Sequence, residues 1–257
     1  MIINNNISAI NTRNQLFVTN SAAGKSMEKL SSGKRINRAA DDAAGLSISE
    51  KMRAQIRGLL QAARNAQDGI SLIQTAEGAL DEVSNMLVRL KELAVQKANG
   101  TYNDEDKANL ALEMESLTNE ISNIFTNTKF NGSSVLATTV AIVISDDGTT
   151  ALTINATSTD GITSLSSGSS VTNIETAIKN VNKARARYGA LQNRLESTVR
   201  NLKTTAENLQ AAESRIRDTD MAEEMSNFTK YNILIQAGTA MLAQANQAPQ
   251  SVLSLLR

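Results

Sequence analysis

The sequence contains no cysteine, histidine or tryptophan, and a single proline, Pro249. Without Cys or His, the common zinc, haem and thiol chemistries have neither ligands nor a nucleophile, and no disulfide can brace the fold. Aromatic residues are 3% of the 257 residues, so any core is built from Ala, Leu, Ile and Val, which suits slender helix bundles. Net charge is missing too, because 26 Lys and Arg offset 26 Asp and Glu. A nucleic-acid partner would require a basic surface, and this balance offers none. There is no run of about 18 apolar residues, the length a membrane-crossing helix needs. The opening MIINNNISAINTRNQ lacks the basic and apolar regions of a cleavable secretion signal. On residues alone the chain reads as cytosolic, not an enzyme, without cofactor or metal, and with no nucleic acid and no membrane among its partners.

What the sequence does have is periodicity. An apolar stripe runs Met52, Ile56, Leu59, Ala63, Ala66, Ile70, Ile73, Ala76, Leu80, Val83, Leu87, Leu90, Ala94 in steps of three or four. A second runs Ile174, Ile178, Val181, Ala184, Tyr188, Leu191, Leu195, Val199, Leu202, Ala206, Leu209, Ala212, Ile216 with the same spacing. This is the heptad period, about 3.5 residues, of helices that wind around one another. Neither seam can be buried alone, so the two stripes are expected to pack together as outgoing and returning helices. The expected fold is mainly α: a long antiparallel coiled-coil helix bundle with a small β-hairpin region.

The segments between follow from composition. Residues 1–32 read as a weaker helix carrying Ile3, Ile7, Ile10, Phe17, Met27 and Leu30 as its seam, ended by Ser31-Ser32-Gly33. A polar connector follows, and Asp41-Asp42 sit where a helix start favours negative charge. The long helix spans about 44–98, with Gly58, Gly69 and Gly78 inside it. Each glycine costs about 1 kcal/mol against Ala, and is either tolerated or marks close approach of a neighbouring helix. Asn103-Asp104 can cap a third helix over about 104–128, and Phe130-Asn131-Gly132 reads as a turn. Val140–Ile144 and Ala151–Ile154 read as a hairpin whose loop holds Asp146, Asp147 and Gly148. The aspartate pairs 41–42 and 146–147 therefore read as helix start and turn, not as catalytic carboxylates. The returning helix covers about 171–217. After it come Met221, Met225, Phe228, Ile235, Leu242, Ala245, Val252 and Leu256, with Pro249 expected to kink or break the last helix.

The two ends are rich in Asn, Gln, Ser and Ala, with few large apolar residues. Such a pair buries too little to offset its own ordering entropy, and is expected to become ordered only against neighbouring subunits. The residues assigned to that assembly are Ile3, Ile7, Ile10, Phe17, Met225, Phe228, Ile235, Leu242 and Leu256. A seam that needs the same seam on identical copies makes a head-to-tail contact, which propagates as a filament when it does not close.

Several long blocks resemble the bacterial flagellin family. They are LSSGKRIN (30–37), DDAAG (41–45), RNAQDGIS (64–71), QTAEGAL (74–80), ELAVQ (92–96), AESRIRDTDMAEE (212–224) and AQANQAPQSVLSLLR (243–257). The resemblance covers roughly 1–136 and 171–257, and leaves no room for the outer domains that many flagellins insert. It implies that 1–43 form an inner-tube helix and connector, 44–132 outer-tube core helices, and 133–170 a short hairpin and loop region. Residues 171–218 would be the returning core helix and 219–257 the C-terminal inner-tube helix. The implied function is a self-polymerising filament subunit for swimming, exported unfolded through the flagellar secretion apparatus and therefore extracellular despite lacking a signal. Implied partners are copies of itself, an export chaperone, the export apparatus, and the filament cap and hook-junction proteins. The host Toll-like receptor for flagellin is a further implied partner, with contact residues Arg89, Leu93 and Glu113. Arg89 and Leu93 are four apart and so are expected on one helix face. The competing readings are a coiled-coil signalling rod, which lacks an anchor or sensing domain here, and an enzyme, which lacks a convergent polar cluster.

Overall fold

The computed structural model describes residues 6–157, 161, 162 and 164–255, with side chains described to residue 247. Helices begin where the sequence supplies a cap. Asn6 caps α1 (Ile7–Ser32), its Oδ1 accepting from the Ala9 amide at 3.1 Å, and Gly33 ends it at φ 68° with its amide on Lys29 O. Asp42 starts α2 (Ala43–Ala98) by accepting from the Gly45 amide at 2.9 Å. Asn103 starts α3 (Asp104–Asn127) by accepting from the Asp106 amide at 2.7 Å. Two long helices follow the hairpin region, α4 (Val171–Arg217) and α5 (Met221–Leu255). The five helices agree with the expected segments, and the fold is mainly α.

Between α3 and α4 the chain makes two small antiparallel sheets. The expected hairpin is present: β3 (Val140–Val143) pairs with β4 (Ala151–Ile154), Val140 opposite Ile154. The stretch read only as a turn is itself a smaller hairpin. In it β1 (Lys129–Phe130) pairs with β2 (Ser133–Ser134) around Asn131 and Gly132, both at positive φ. That positive pair is the geometry of a two-residue hairpin turn, which Asn-Gly satisfies readily.

The chain divides into two compact units, residues 1–53 with 209–257 and residues 54–208, and α2 and α4 contribute to both. In the unit spanning 54–208 the two stripes meet as expected. Lys91 pairs with Glu175 at 2.9 Å and Arg185 with Asp81 at 2.9 Å. Further along, Leu195 lies against Gly69. Rising numbers on α2 meet falling numbers on α4, so the helices are antiparallel. Ile73, Ala76, Leu80, Val83, Leu87 and Leu90 are fully buried, opposite Ile174, Val181 and Leu195. The α3 side chains Met114, Ile121 and Phe125 complete a three-helix core.

The glycines of α2 required a different neighbour from the expected helix. A Cβ on Gly69 would run into Ile142 Cδ1, and one on Gly58 would meet Asp146 Cβ at 2.8 Å and its backbone at 3.0 Å. The β3–β4 hairpin lies across α2, and the glycines make room for it. Asn65 Nδ2 donates to Val143 O at 3.2 Å on the same face. Gly78 has nothing within 4 Å and is simply tolerated.

Pro249 does not break the last helix, because α5 is continuous to Leu255. Proline removes one helical hydrogen bond. The carbonyl that loses its donor, that of Ala245, instead accepts from Asn6 Nδ2 at 2.7 Å.

Candidate functional site

The terminal helices α1 and α5 pack antiparallel. Asn6 reaches Ala245, Leu16 lies against Gly238, and Lys29 approaches Glu224 at 3.8 Å. The face of α1 turned inward is Ala9, Thr12, Leu16, Thr19, Ala23, Ser26 and Leu30, all buried or half-buried, in alternating steps of three and four. The heptad period assigned to this helix is therefore present, but its seam is not the expected one. Ile7, Ile10, Phe17 and Met27 are exposed, and Phe17 is 77% exposed. The inner stripe of α1 is small at most positions, and the larger side chains of this interface, Phe228, Ile235 and Leu242, come from α5. Of the α1 side chains, only Thr19, Ala23 and Ser26 are fully buried, and all are small.

On α5 the expected residues divide. Phe228, Ile235 and Leu242 are half-buried against α1, whereas Met225 is exposed. Ile3 and Leu256 lie outside the described residues. The structure adds Val18, Ile233, Leu234 and Met241 to the exposed apolar surface of the pair. Val18, Ile233 and Leu234 were missed because they fall between the positions of a heptad count, and a count finds one stripe at a time. The pair thus buries mostly small residues of α1 against Phe228, Ile235 and Leu242 of α5, and leaves large apolar side chains of both helices on its outside.

Next to this pair, the two polar connectors join. Lys34 and Asp218 form an antiparallel bridge. The Arg35 amide donates to Arg217 O at 2.7 Å, and the Thr219 amide to Gly33 O at 3.1 Å. Arg35 Nη2 also reaches Ile216 O at 2.6 Å, and Ile36 is buried beneath. The Arg217 guanidinium donates to Glu50, which holds the Glu50 carboxyl below its ordinary range. Asp41 is lowered likewise, by accepting from the amides of Arg38 and Asn37. A Cβ at Gly45 would strike the capping Asp42 carboxylate, and would meet Ile36 at 2.8 Å, so DDAAG ends in the residue this corner can hold. The aspartates of this motif build a corner, as their place before a helix suggested.

In the other unit, Arg89 and Glu113 come together as an exposed ion pair at 2.9 Å, and Arg89 also holds Glu92 at 3.1 Å. The Arg89 guanidinium is raised above its ordinary value, chiefly by the Glu113 hydrogen bond. Leu93 does not share that surface. It is 1% exposed and belongs to the core, because α3 and α4 cover α2 over a sector wider than one heptad stripe. Val88, Val95 and Leu112 are the exposed apolar residues nearest in sequence to Arg89 and Glu113.

A cleft of about 700 Å³ opens beside β4 and α4, lined by Thr153, Asn155, Asn180, Lys183, Arg187 and Tyr188 among others. The Tyr188 and Thr157 hydroxyls are 2.8 Å apart, and burial raises the Tyr188 pKa. No carboxylate among the described residues lines this cleft to act as a base. Among the described residues, no three carboxylates converge to hold a metal, and no helix is long and apolar enough to cross a membrane.

Comparison with known proteins agrees with this architecture. The bacterial flagellin N-terminal helical region matches residues 3–141, and the bacterial flagellin C-terminal helical region matches residues 171–256. A flagellin of Halalkalibacterium halodurans is 53% identical and one of Bacillus subtilis 48%, each aligned over all of both chains. The flagellar filament 31.3 kDa core protein of Treponema maltophilum is 46% identical, again over all of both chains. Among solved structures, the crystal structure of Bacillus cereus flagellin is 34% identical, covering 58% of this chain and 94% of that one, with a TM-score of 0.49. With both helical regions matched and relatives aligned from end to end, this chain belongs to the bacterial flagellin family.

Proposed function

We propose that this chain polymerises with copies of itself as the structural subunit of a bacterial flagellar filament. The observation that carries the reading is the packing of α1 on α5, which has Thr19, Ala23 and Ser26 inside and Ile7, Ile10, Phe17 and Met225 outside. Exposed large apolar side chains gathered on one helix pair mark an interaction site, and on this reading the matching surface is the same helix pair on another copy. Ile3 and Leu256 extend the same two segments in sequence. Phe228, Ile235 and Leu242 hold α5 to α1, and so shape that surface from within. A pair that leaves this much apolar surface in water becomes rigid only when that surface is covered, so the termini order on assembly. The relative from Treponema maltophilum is named a filament core protein, in keeping with this role.

Export chaperone, export apparatus, filament cap and hook-junction proteins follow as partners from the same reading, and the assembled product lies outside the cell. The test is electron microscopy of the purified chain under salting-out conditions. Filaments support the proposal. Persistent dimers would favour a signalling rod and overturn it.

A second reading has its own observation. The exposed Arg89–Glu113 pair, with Val88, Val95 and Leu112 close by in sequence, offers charge and apolar area for the host Toll-like receptor for flagellin. Leu93 would act from beneath, by holding the α2 surface that carries Arg89. Receptor-reporter cells should respond to the parent chain, and should lose most of the response with Arg89→Ala or Glu113→Ala at unchanged melting temperature. No response to the parent chain would exclude this role.

A further inference from the structure

Pro249 is the only proline in the chain. In an α-helix each carbonyl accepts from the amide four residues on. Proline has no N–H, so the Ala245 carbonyl loses that donor. The oxygen accepts instead from Asn6 Nδ2 at 2.7 Å, a contact spanning 239 positions of sequence. The other end of the same carboxamide caps α1 by accepting from the Ala9 amide at 3.1 Å. One side chain thus serves both terminal helices, and it needs a donor and an acceptor to do so. Asp would cap as well as Asn but cannot donate.

The value of this contact follows from the seam it closes. Thr12, Thr19 and Ser26 repeat at heptad spacing with similar size and do not resist a one-heptad slide of α1 along α5, whereas Ala9, Leu16, Ala23 and Leu30 alternate small and large, with Leu16 seated against Gly238. Half of that seam leaves register unspecified, and in helix pairs a buried polar contact adds to what fixes it. A carbonyl opened by proline exists at one position only on α5, so it marks one register and no other.

We propose that Asn6 and Pro249 form a register clasp, with Asn6 a positioning residue that fixes α1 against α5 so that the outer apolar faces present one pattern to neighbouring copies. The inference rests on the filament reading, and its test separates the two. The full chain is prepared as the parent, Asn6→Asp, Pro249→Ala and the double variant, and the critical concentration for polymerisation is measured by sedimentation. Asn6→Asp keeps the cap and loses the donor, and should raise the critical concentration about fivefold, the net worth of one hydrogen bond. With Pro249→Ala the helix supplies its own amide to Ala245, so adding Asn6→Asp there should change the value less than about twofold, well within one such bond. Equal critical concentrations for parent and Asn6→Asp overturn the clasp, and so does an equal Asn6→Asp penalty in both backgrounds. If the parent chain does not polymerise, the filament reading falls. The clasp is then judged by the same four-way comparison of amide exchange at residues 7–10 in the dispersed protein.

Discussion

Gly58 and Gly78 lie in one helix and differ only in what stands over them. A methyl at Gly58 would push against the Asp146 backbone at 3.0 Å, so Gly58→Ala should destabilise by about 1–2 kcal/mol as overpacking usually does. A methyl at Gly78 meets nothing within 4 Å, so Gly78→Ala should stabilise by about 1 kcal/mol through helix propensity alone. Thermal unfolding of the two variants checks the opposite signs. The sequence could not separate these glycines, because the element that distinguishes them is a hairpin some 80 positions later. Asp147 carries a second prediction. The Ser145 hydroxyl, then the Thr149 amide and hydroxyl, lower its carboxyl to about 2. A folded pKa below the unfolded value of about 3.9 contributes stability above that value and loses it as pH falls through about 2. The stability gap between parent and Asp147→Asn should therefore be present at pH 5 and shrink at pH 2. A gap that is constant with pH would remove this role for the carboxylate.

For α1 the apolar spacing has the right period and points to the wrong face. Large apolar residues usually mark the buried side, and by that rule Ile7, Ile10 and Phe17 would mark it here. The buried side is instead the small stripe running from Ala9 to Leu30, which a search for bulky residues passes over. This division predicts a separation of effects. Phe17→Ala should leave thermal unfolding of the dispersed chain within about 0.5 kcal/mol of the parent, as exposed substitutions do, while blocking or greatly weakening polymerisation. On α2, Leu93 and Arg89 separate in the same manner. Leu93→Ala should cost about 2–5 kcal/mol as a core truncation, and Arg89→Ala well under 1, as an exposed ion pair does. Melting curves of these two variants test whether Leu93 is core, and a small loss for Leu93→Ala would return it to the surface.

Removing residues 1–32 and 221–257 deletes α1 and α5 and keeps every side chain of the large apolar cluster, which runs from Ala66 to Val199. The remaining fragment should be helical by circular dichroism, monomeric by sedimentation and unable to polymerise. An unfolded fragment would show that stability had been assigned to the wrong helices. The sequence by itself determined where the helices begin and end, because Asn, Asp and Gly caps act within a few residues of themselves. It also determined that the stripes of α2 and α4 belong together, because a long bulky stripe has few other places to hide from water. Only the tertiary structure decided which face of α1 is inside, which glycines lie under a hairpin, and that Leu93 is buried. Each of these depends on which distant backbone comes close, and side-chain size read along one helix carries no record of that.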